Sequence, residues 1–478
     1  MNRQTPNSGG NRNIMIITYV VVGLFLCLMG YFGYFLQVQS ETVINNSYNA
    51  RLDSFSDRIL RGKILSKDGN VLAETSVSED GTEVRMYPYH DVFAHVVGYS
   101  DHGKAGLESL ANFYLLSSHI NLAEQAMNQL SDIKNTGDNV ITTLDVDLQQ
   151  AAYDALEGKK GAVVALEPDT GKILAMVSRP GFDPNTLSQD WEALISGDNT
   201  QAQLLNRASQ GVYPPGSTFK IVTALEYIRE HPDSWENFTF DCDGSYEWGE
   251  YKISCYHGNA HGHQTLPQAF ANSCNGAFAS LGIEMNLESM QELAGQLLFN
   301  KDLPLSIAYS KSSYAMGTGA SDWERLQTSI GQGNTQMTPM HNALLTAAVA
   351  NKGILMKPYL VERVESAAGE LVKSFAPAEF GRLMSDREAE ILSSMMRQVV
   401  TEGTGSSVRT DAYTAAGKTG SAEFEKGKES HAWFTGFAPA ENPKLVVTVI
   451  VEEGGSGGRA AGPIARTLFD LYFSKQER

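Results

Sequence analysis

From Ile14 to Leu36 the chain reads IMIITYVVVGLFLCLMGYFGYFL, without a single charge. At helical rise this run reaches roughly 35 Å, enough to cross a hydrocarbon core. Further along, apolar positions follow shorter periods. RGKILSKDGNVLAET is strand-like, with a hairpin turn signal at Asp68-Gly69. GLESLANFYLL and NLAEQAMNQL carry helical patterning. DNVITTLDVDLQQAAYDALEG predicts a short strand, then an amphipathic helix with Leu148, Ala151, Ala152 and Leu156 on one face. GAVVALEPDTGKILAMVS gives two β-rich runs joined at Asp169-Thr170-Gly171. Near the C-terminus HAWFTGFAP and KLVVTVIVEE flank AENP as another hairpin, and GPIARTLFDLYF closes as a helix. Strands at both ends with a helical middle predict an α/β domain whose sheet joins distant parts of the chain. GGSGG, near residue 456, reads as a flexible loop.

Composition sharpens this. The 478 residues suffice for one large core and a smaller domain. With 42% hydrophobic and 19% charged residues the chain is globular. A net charge of −18 without a basic run argues against a nucleic-acid binder. Arg3 and Arg12 precede the apolar run, and no basic residue follows it until Arg51. The positive-inside bias then keeps the N-terminus cytoplasmic and exports the rest. The length of the run, and the lack of a clear small-x-small cleavage site, favour an uncleaved anchor over a signal peptide. The expected organisation is a tail (1–13), a single transmembrane anchor (14–36), a membrane-proximal non-catalytic region (37–140) and a catalytic domain (141–478). Of four cysteines, Cys27 lies in the anchor. Cys242 and Cys255 flank DGSYEWGEYKIS, a hairpin-like segment, and an exported domain permits a disulfide between them. Spacing alone does not fix the separation that a bridge requires. Cys274 is left over.

GVYPPGSTFK, residues 211 to 220, reads locally as a helix start: proline ends what precedes it, glycine turns, and serine caps. Ser-x-x-Lys occurs twice, at Ser217–Lys220 and Ser131–Lys134; Ser-x-Asn occurs at Ser47–Asn49 and Ser273–Asn275; Lys-Thr-Gly occurs at Lys418-Thr419-Gly420. Only Ser217, Ser273 and Lys418 fall in the order nucleophile, Ser-x-Asn, Lys-Thr-Gly within one domain. The chemistry is coherent. A serine hydroxyl needs a base beside it. Helix positions i and i+3 share a face, so the Lys220 amine can reach the Ser217 hydroxyl. Burial and nearby positive charge, such as Lys418, favour the neutral amine. Free N–H groups at a helix start suit a developing oxyanion. Lys418 and Thr419 can hold a carboxylate, Gly420 lets a substrate backbone approach, Ser273 can relay a proton, and Asn275 can bond a substrate amide. Each pattern alone is a turn or a cap; it is their joint order that carries the reading.

The chain resembles the class B penicillin-binding proteins, which are monofunctional D,D-transpeptidases. RGKILSKDGNVLAE, AHVVGYSDHGKAGLE, TTLDVDLQQAA, YPPGSTFKIVTAL, GQGNTQMTPMHNA, AAGKTGSAEF and HAWFTGFAP all match that pattern, over roughly residues 55 to 465. The resemblance implies a five-stranded antiparallel sheet between helices. It implies Ser217 as acylated nucleophile, Lys220 as base, Ser273 and Asn275 as the second motif, and Lys418, Thr419, Gly420 and Ser421 in substrate binding. Backbone N–H groups of Ser217 and Ser421 form the implied oxyanion hole. The implied substrate is a peptidoglycan stem peptide ending in D-Ala-D-Ala, with β-lactams as covalent inhibitors and cell-wall synthesis proteins as partners. No cofactor is implied. About a hundred residues between anchor and catalytic domain are short for a glycosyltransferase domain. A hydrolase (D,D-carboxypeptidase or β-lactamase) shares the trio, although no deacylating glutamate is evident. A β-lactam sensor would need more than thirteen cytoplasmic residues, and a non-catalytic scaffold would not need Ser217 and Lys220. CYHGNAHGH invites a metal reading through Cys255, His257, His261 and His263. Its spacing matches no zinc signature, so no metal is expected.

Overall fold

The computed structural model of the protein describes residues 8–39, 58–131 and 133–476. Arg3, Arg51 and the Ser47–Asn49 triplet lie outside the described residues. The uncharged run is a continuous helix, Ser8–Tyr34, ending in a wider turn at Phe35–Gln39. Tyr19, Leu24, Phe25 and Met29 on this helix are exposed. The stretch Arg12–Gln37 is long and apolar enough to cross a membrane.

Five antiparallel strands form the central sheet, in the order Ala416–Ala422, His431–Ala438, Leu445–Val451, Gly161–Leu166 and Ile173–Arg179. These strands come from residues 161–179 and 416–451, brought together as the pattern required. Both faces are covered, which is why almost every position of these strands is buried instead of every second one. On one face Val163, Ala165, Val447 and Val449 share a core with Leu148 and Ala152 of helix Val146–Ala155 and with Leu468 and Phe469 of helix Gly462–Gln476. On the other, Ala162, Val164, Val446 and Ile450 share a core with Ile221 and Leu225 of helix Lys220–Glu230 and Leu344 of helix Pro339–Ala350. Each buried Val, Leu, Ile or Phe among them contributes roughly 1.5–3 kcal/mol. Asp145 caps the first of these helices by accepting from the Leu148 N–H at 3.0 Å. Leu148, Ala152 and Leu156 are fully buried, as the amphipathic pattern requires, and Ala151 is half-buried.

A second sheet has six strands. Gly69, with φ of 84°, turns Ile64–Leu65 into antiparallel Val71–Val77, the hairpin expected at Asp68-Gly69. Asn139–Thr142 lies parallel to Ile64–Leu65. The strands Val361–Glu365 and Leu371–Ser374, more than two hundred residues later, complete the sheet on its far side. Beside it sits a buried ion triplet. Arg61 Nε and Arg85 Nε donate to the two carboxylate oxygens of Glu108 at 2.6 and 2.7 Å, and Glu108 is fully buried. Burial alone would push the Glu108 carboxyl up; Arg61 and Arg85 instead hold it below the usual range.

Candidate active site

The double proline and glycine hold one turn against the sheet. Trp433 Nε1 donates to the Pro214 carbonyl at 3.0 Å. Gly216 has φ of 52°, and a Cβ there would stand 3.0 Å from the Ser421 carbonyl oxygen and 3.1 Å from Ala422 Cβ. Only glycine combines that backbone with that approach. Ser217 is not the helix cap that its sequence suggests. It lies inside a 3₁₀ turn, Gly216–Phe219, which Pro215 precedes and which passes into the α-helix Lys220–Glu230. Thr218 Oγ1 donates to the Pro215 carbonyl at 2.7 Å and closes that turn. In 3₁₀ geometry positions i and i+3 eclipse, which places Ser217 and Lys220 on one edge.

Ser217, Ser273, Asn275, Thr419, Gly420 and Ser421 line a single cleft. Lys220 and Lys418 lie beneath it, both fully buried. Lys220 Nζ donates to the Ser273 carbonyl at 2.7 Å and Asn275 Oδ1 at 2.8 Å, and lies 3.3 Å from Ser273 Oγ. Lys418 Nζ lies 2.9 Å from Ser273 Oγ and donates to the Thr419 carbonyl at 3.1 Å. The Ser273 hydroxyl is thus bracketed by two amines. If both were ammonium, both would donate to it and its own proton would need a further acceptor; one neutral amine accepts that proton. Burial pulls the Lys220 pKa down to about 8, against the opposing pull of Cys274 and Cys255. Burial, then the charge of Lys220, pushes Lys418 well below the ordinary lysine range. The direct Ser217–Lys220 hydrogen bond expected from spacing is not formed. Among the described residues the Ser217 hydroxyl has no hydrogen-bond partner, and the lysine amine bonds Ser273 and Asn275 instead. Catalytic hydrogen bonds often tighten only once substrate is bound. Ser273 itself has φ of 56°, an uncommon conformation for a residue with a side chain and one that concentrates at functional sites.

The penicillin binding protein transpeptidase domain family matches residues 161–470, and the penicillin binding protein A dimerisation domain family matches residues 61–140. This chain belongs to the class B penicillin-binding proteins. It is 34% identical to the peptidoglycan D,D-transpeptidase PbpA of Mycolicibacterium smegmatis, over 87% of this chain and 89% of that one. Among solved structures it resembles the D,D-transpeptidase domain of a peptidoglycan glycosyltransferase from Eggerthella lenta, with 33% identity, a TM-score of 0.79, and coverage of 88% and 99%. It also resembles the imipenem acyl-enzyme complex of penicillin-binding protein A from M. tuberculosis, with 31% identity, a TM-score of 0.79, and coverage of 88% and 100%.

The cleft of this penicillin-binding protein has walls that the motifs did not announce. GGSGG leaves its strand as irregular backbone and enters the short helix Gly457–Ala460. Ser456, Gly457 and Gly458 line the cleft, and a Cβ on Gly457 would stand 2.2 Å from the Trp433 carbonyl oxygen and 2.5 Å from that of Gly420. Gly457 is there for close packing on the Lys-Thr-Gly strand, and Gly458 for close approach to the Thr404 carbonyl. Thr404 Oγ1 lies 2.6 Å from Thr419 Oγ1, and Glu402, Gly403 and Thr404 line the cleft beside it. No local sequence pattern marks Thr404; its partner is fixed by the fold. The second copy of Ser-x-x-Lys is elsewhere: Lys134 pairs with Glu83 at 2.7 Å. The expected hairpin between Cys242 and Cys255 is present as Ser245–Trp248 against Tyr251–Ser254. The disulfide is not formed, and Cys274 is not apart: the sulfurs of Cys242 and Cys255 are 3.6 Å apart, those of Cys255 and Cys274 3.7 Å, all as thiols. Of the three histidines in that segment, His257 is exposed against Tyr256, His263 pairs with Asp241 at 2.8 Å, and His261 turns to Cys242.

Proposed function

We propose that this penicillin-binding protein is a serine D,D-transpeptidase that works through an acyl-enzyme on Ser217. The observation that carries the reading is the Ser273 hydroxyl bracketed by the amines of Lys220 and Lys418 beneath the cleft that Ser217 enters. In this reading Ser217 Oγ attacks the carbonyl carbon of the D-Ala-D-Ala peptide bond, and neutral Lys220 takes its proton. Backbone N–H groups of Ser217 and Ser421 receive the oxyanion. Lys220 then returns the proton, by way of Ser273, to the amine of the departing D-Ala. Lys418 and Thr419 hold the substrate carboxylate, Gly420 admits its backbone, and Asn275 bonds its amide. The amine of a neighbouring stem peptide attacks the acyl-enzyme and restores Ser217. The curated relatives are named D,D-transpeptidases, so hydrolysis is the lesser reading. Residues 141–478 act as the catalytic domain and 37–140 as the membrane-proximal region. The N-terminal helix anchors the chain with its N-terminus in the cytoplasm and the catalytic domain outside, where other cell-wall synthesis proteins would meet it.

The test is a mass spectrum of the full chain after penicillin, followed by a D-Ala-D-Ala stem peptide with and without an amine acceptor. The expected result is one adduct on Ser217, and a cross-linked product whenever the acceptor is present. An adduct on Ser131, or on no serine, overturns the site. Turnover to the hydrolysed peptide alone, whatever the amine, overturns the transpeptidase assignment.

A further inference from the structure

Four soft ligand groups converge behind the cleft. Cys242 ends the strand Thr239–Cys242, Cys255 follows the strand Tyr251–Ser254, His261 precedes the strand Gly262–Thr265, and Cys274 caps the helix Asn275–Glu284. Their ligand atoms all lie within 4.8 Å of one another. The three thiols are buried, at 3%, 3% and 0% exposure, whereas His261 is half-buried and lines the cleft, which leaves a path for an ion.

The spacing decides between two chemistries. A tetrahedral zinc ion with Zn–S of about 2.3 Å and Zn–N of about 2.0 Å has sulfur–sulfur edges of about 3.8 Å and sulfur–nitrogen edges of about 3.5 Å. The observed edges are 3.6 Å for Cys242–Cys255, 3.7 Å for Cys255–Cys274 and 3.4 Å from Cys242 Sγ to His261 Nδ1. A disulfide would use two of the thiols and strand a third thiol and an imidazole around it. The surroundings suit thiolates as well. The Ala277 N–H donates to Cys274 Sγ at 3.5 Å. Gln264 Nε2, a buried donor without a hydrogen-bond partner among the described residues, faces the same sulfur.

We propose that Cys242, Cys255, His261 and Cys274 bind one zinc ion in a Cys₃His site. Binding releases the three thiol protons, so a divalent ion and three thiolates leave a centre of net charge −1. All four positions are filled by protein, which makes the site structural, with no open position for substrate. What it fixes follows from the chain. Cys274 stands between Ser273 and Asn275, the residues that hold the two lysine amines, and Ser273 is in the left-handed region. One ion would tie that segment to both hairpins of residues 239–265 and hold Ser273 and Asn275 in register with Lys220. The site does not depend on Ser217 being the nucleophile.

The test uses the full chain in detergent, purified under reducing conditions. Elemental analysis and native mass spectrometry should find one zinc per chain after dialysis. Replacement by Co²⁺ should give the ligand-field absorption of a tetrahedral ion with thiolate-to-cobalt charge transfer. Cys242→Ser and His261→Ala should each weaken zinc binding by about 100-fold or more, His261→Cys should restore it, and His263→Ala should leave it unchanged. Because the wild-type metal content and cobalt spectrum decide the matter alone, a variant that fails to fold does not block the test. A metal-free chain whose peptide map shows a Cys242–Cys255 disulfide overturns the proposal, as does cobalt bound without charge transfer. Removing zinc with a chelator should slow acylation by a fluorescent penicillin at least about tenfold, and zinc should restore it. An unchanged rate overturns the positioning role while leaving the metal site standing.

Discussion

Lys220→Arg separates charge from basicity at the candidate nucleophile. With its pKa drawn from 10.5 to about 8, Lys220 is free amine in about one molecule in ten at pH 7, against about one in three thousand at the ordinary value. Burial thus raises the fraction of free amine at pH 7 roughly 300-fold. The sign follows: the amine is the active form, so the acylation rate should climb about tenfold per pH unit below 8 and level off above it. Arginine keeps the positive charge but does not deprotonate in this range. The variant should lose that climb and acylate at least about 10²-fold more slowly at pH 8. The second-order rate with a fluorescent penicillin, read from pH 6 to 9.5 in steps of about half a unit, supplies the profile, and thermal melting checks the fold. Lys220→Ala controls for lost charge. An arginine variant that melts like wild type and acylates within a few-fold of it, with the same pH profile, would refute Lys220 as the base.

Glu108→Gln should lower stability by about 3–5 kcal/mol, because it leaves Arg61 and Arg85 facing a buried neutral amide; denaturant unfolding of the full chain tests this, and a loss under about 1 kcal/mol contradicts it. Gly457→Ala should slow acylation and lower the melting temperature, since its new methyl would meet the Trp433 and Gly420 carbonyls. Ser456→Ala next to it should melt as wild type does, and equal behaviour of the two variants would dismiss the steric account. Thr404→Val keeps the shape but removes the hydroxyl bonded to Thr419. One net hydrogen bond is about 1 kcal/mol, so the KM for a carboxylate-bearing substrate should rise about five- to tenfold with little change in kcat; an unchanged KM would show that Thr404 does not position Thr419.

The apolar N-terminal helix, the sheet strands and the three ordered motifs were legible in the sequence because each is a local pattern. An uncharged run of membrane length, two-sided apolar strands and a Pro-Pro-Gly-Ser turn declare themselves within a few residues. The pairing of Gly161–Leu166 with Leu445–Val451, almost three hundred residues away, was legible only as a class of fold, since periodicity says which face is apolar and not which strand it meets. The tertiary structure decided the rest. It returned Val361–Glu365 to the N-terminal sheet, where no pattern points. It put Ser456, Gly457 and Gly458 of GGSGG into the cleft wall, because a glycine chosen for close approach looks the same in sequence as one chosen for mobility. It turned the Lys220 amine to Ser273 and Asn275 instead of Ser217, because a buried polar group is costly unless it is paired. It also gathered Cys242, Cys255, His261 and Cys274, which the sequence presents as a hairpin pair, one of three histidines and a leftover thiol. Ligand geometry exists only between segments, so it became visible only when two hairpins and a helix start were folded onto one another.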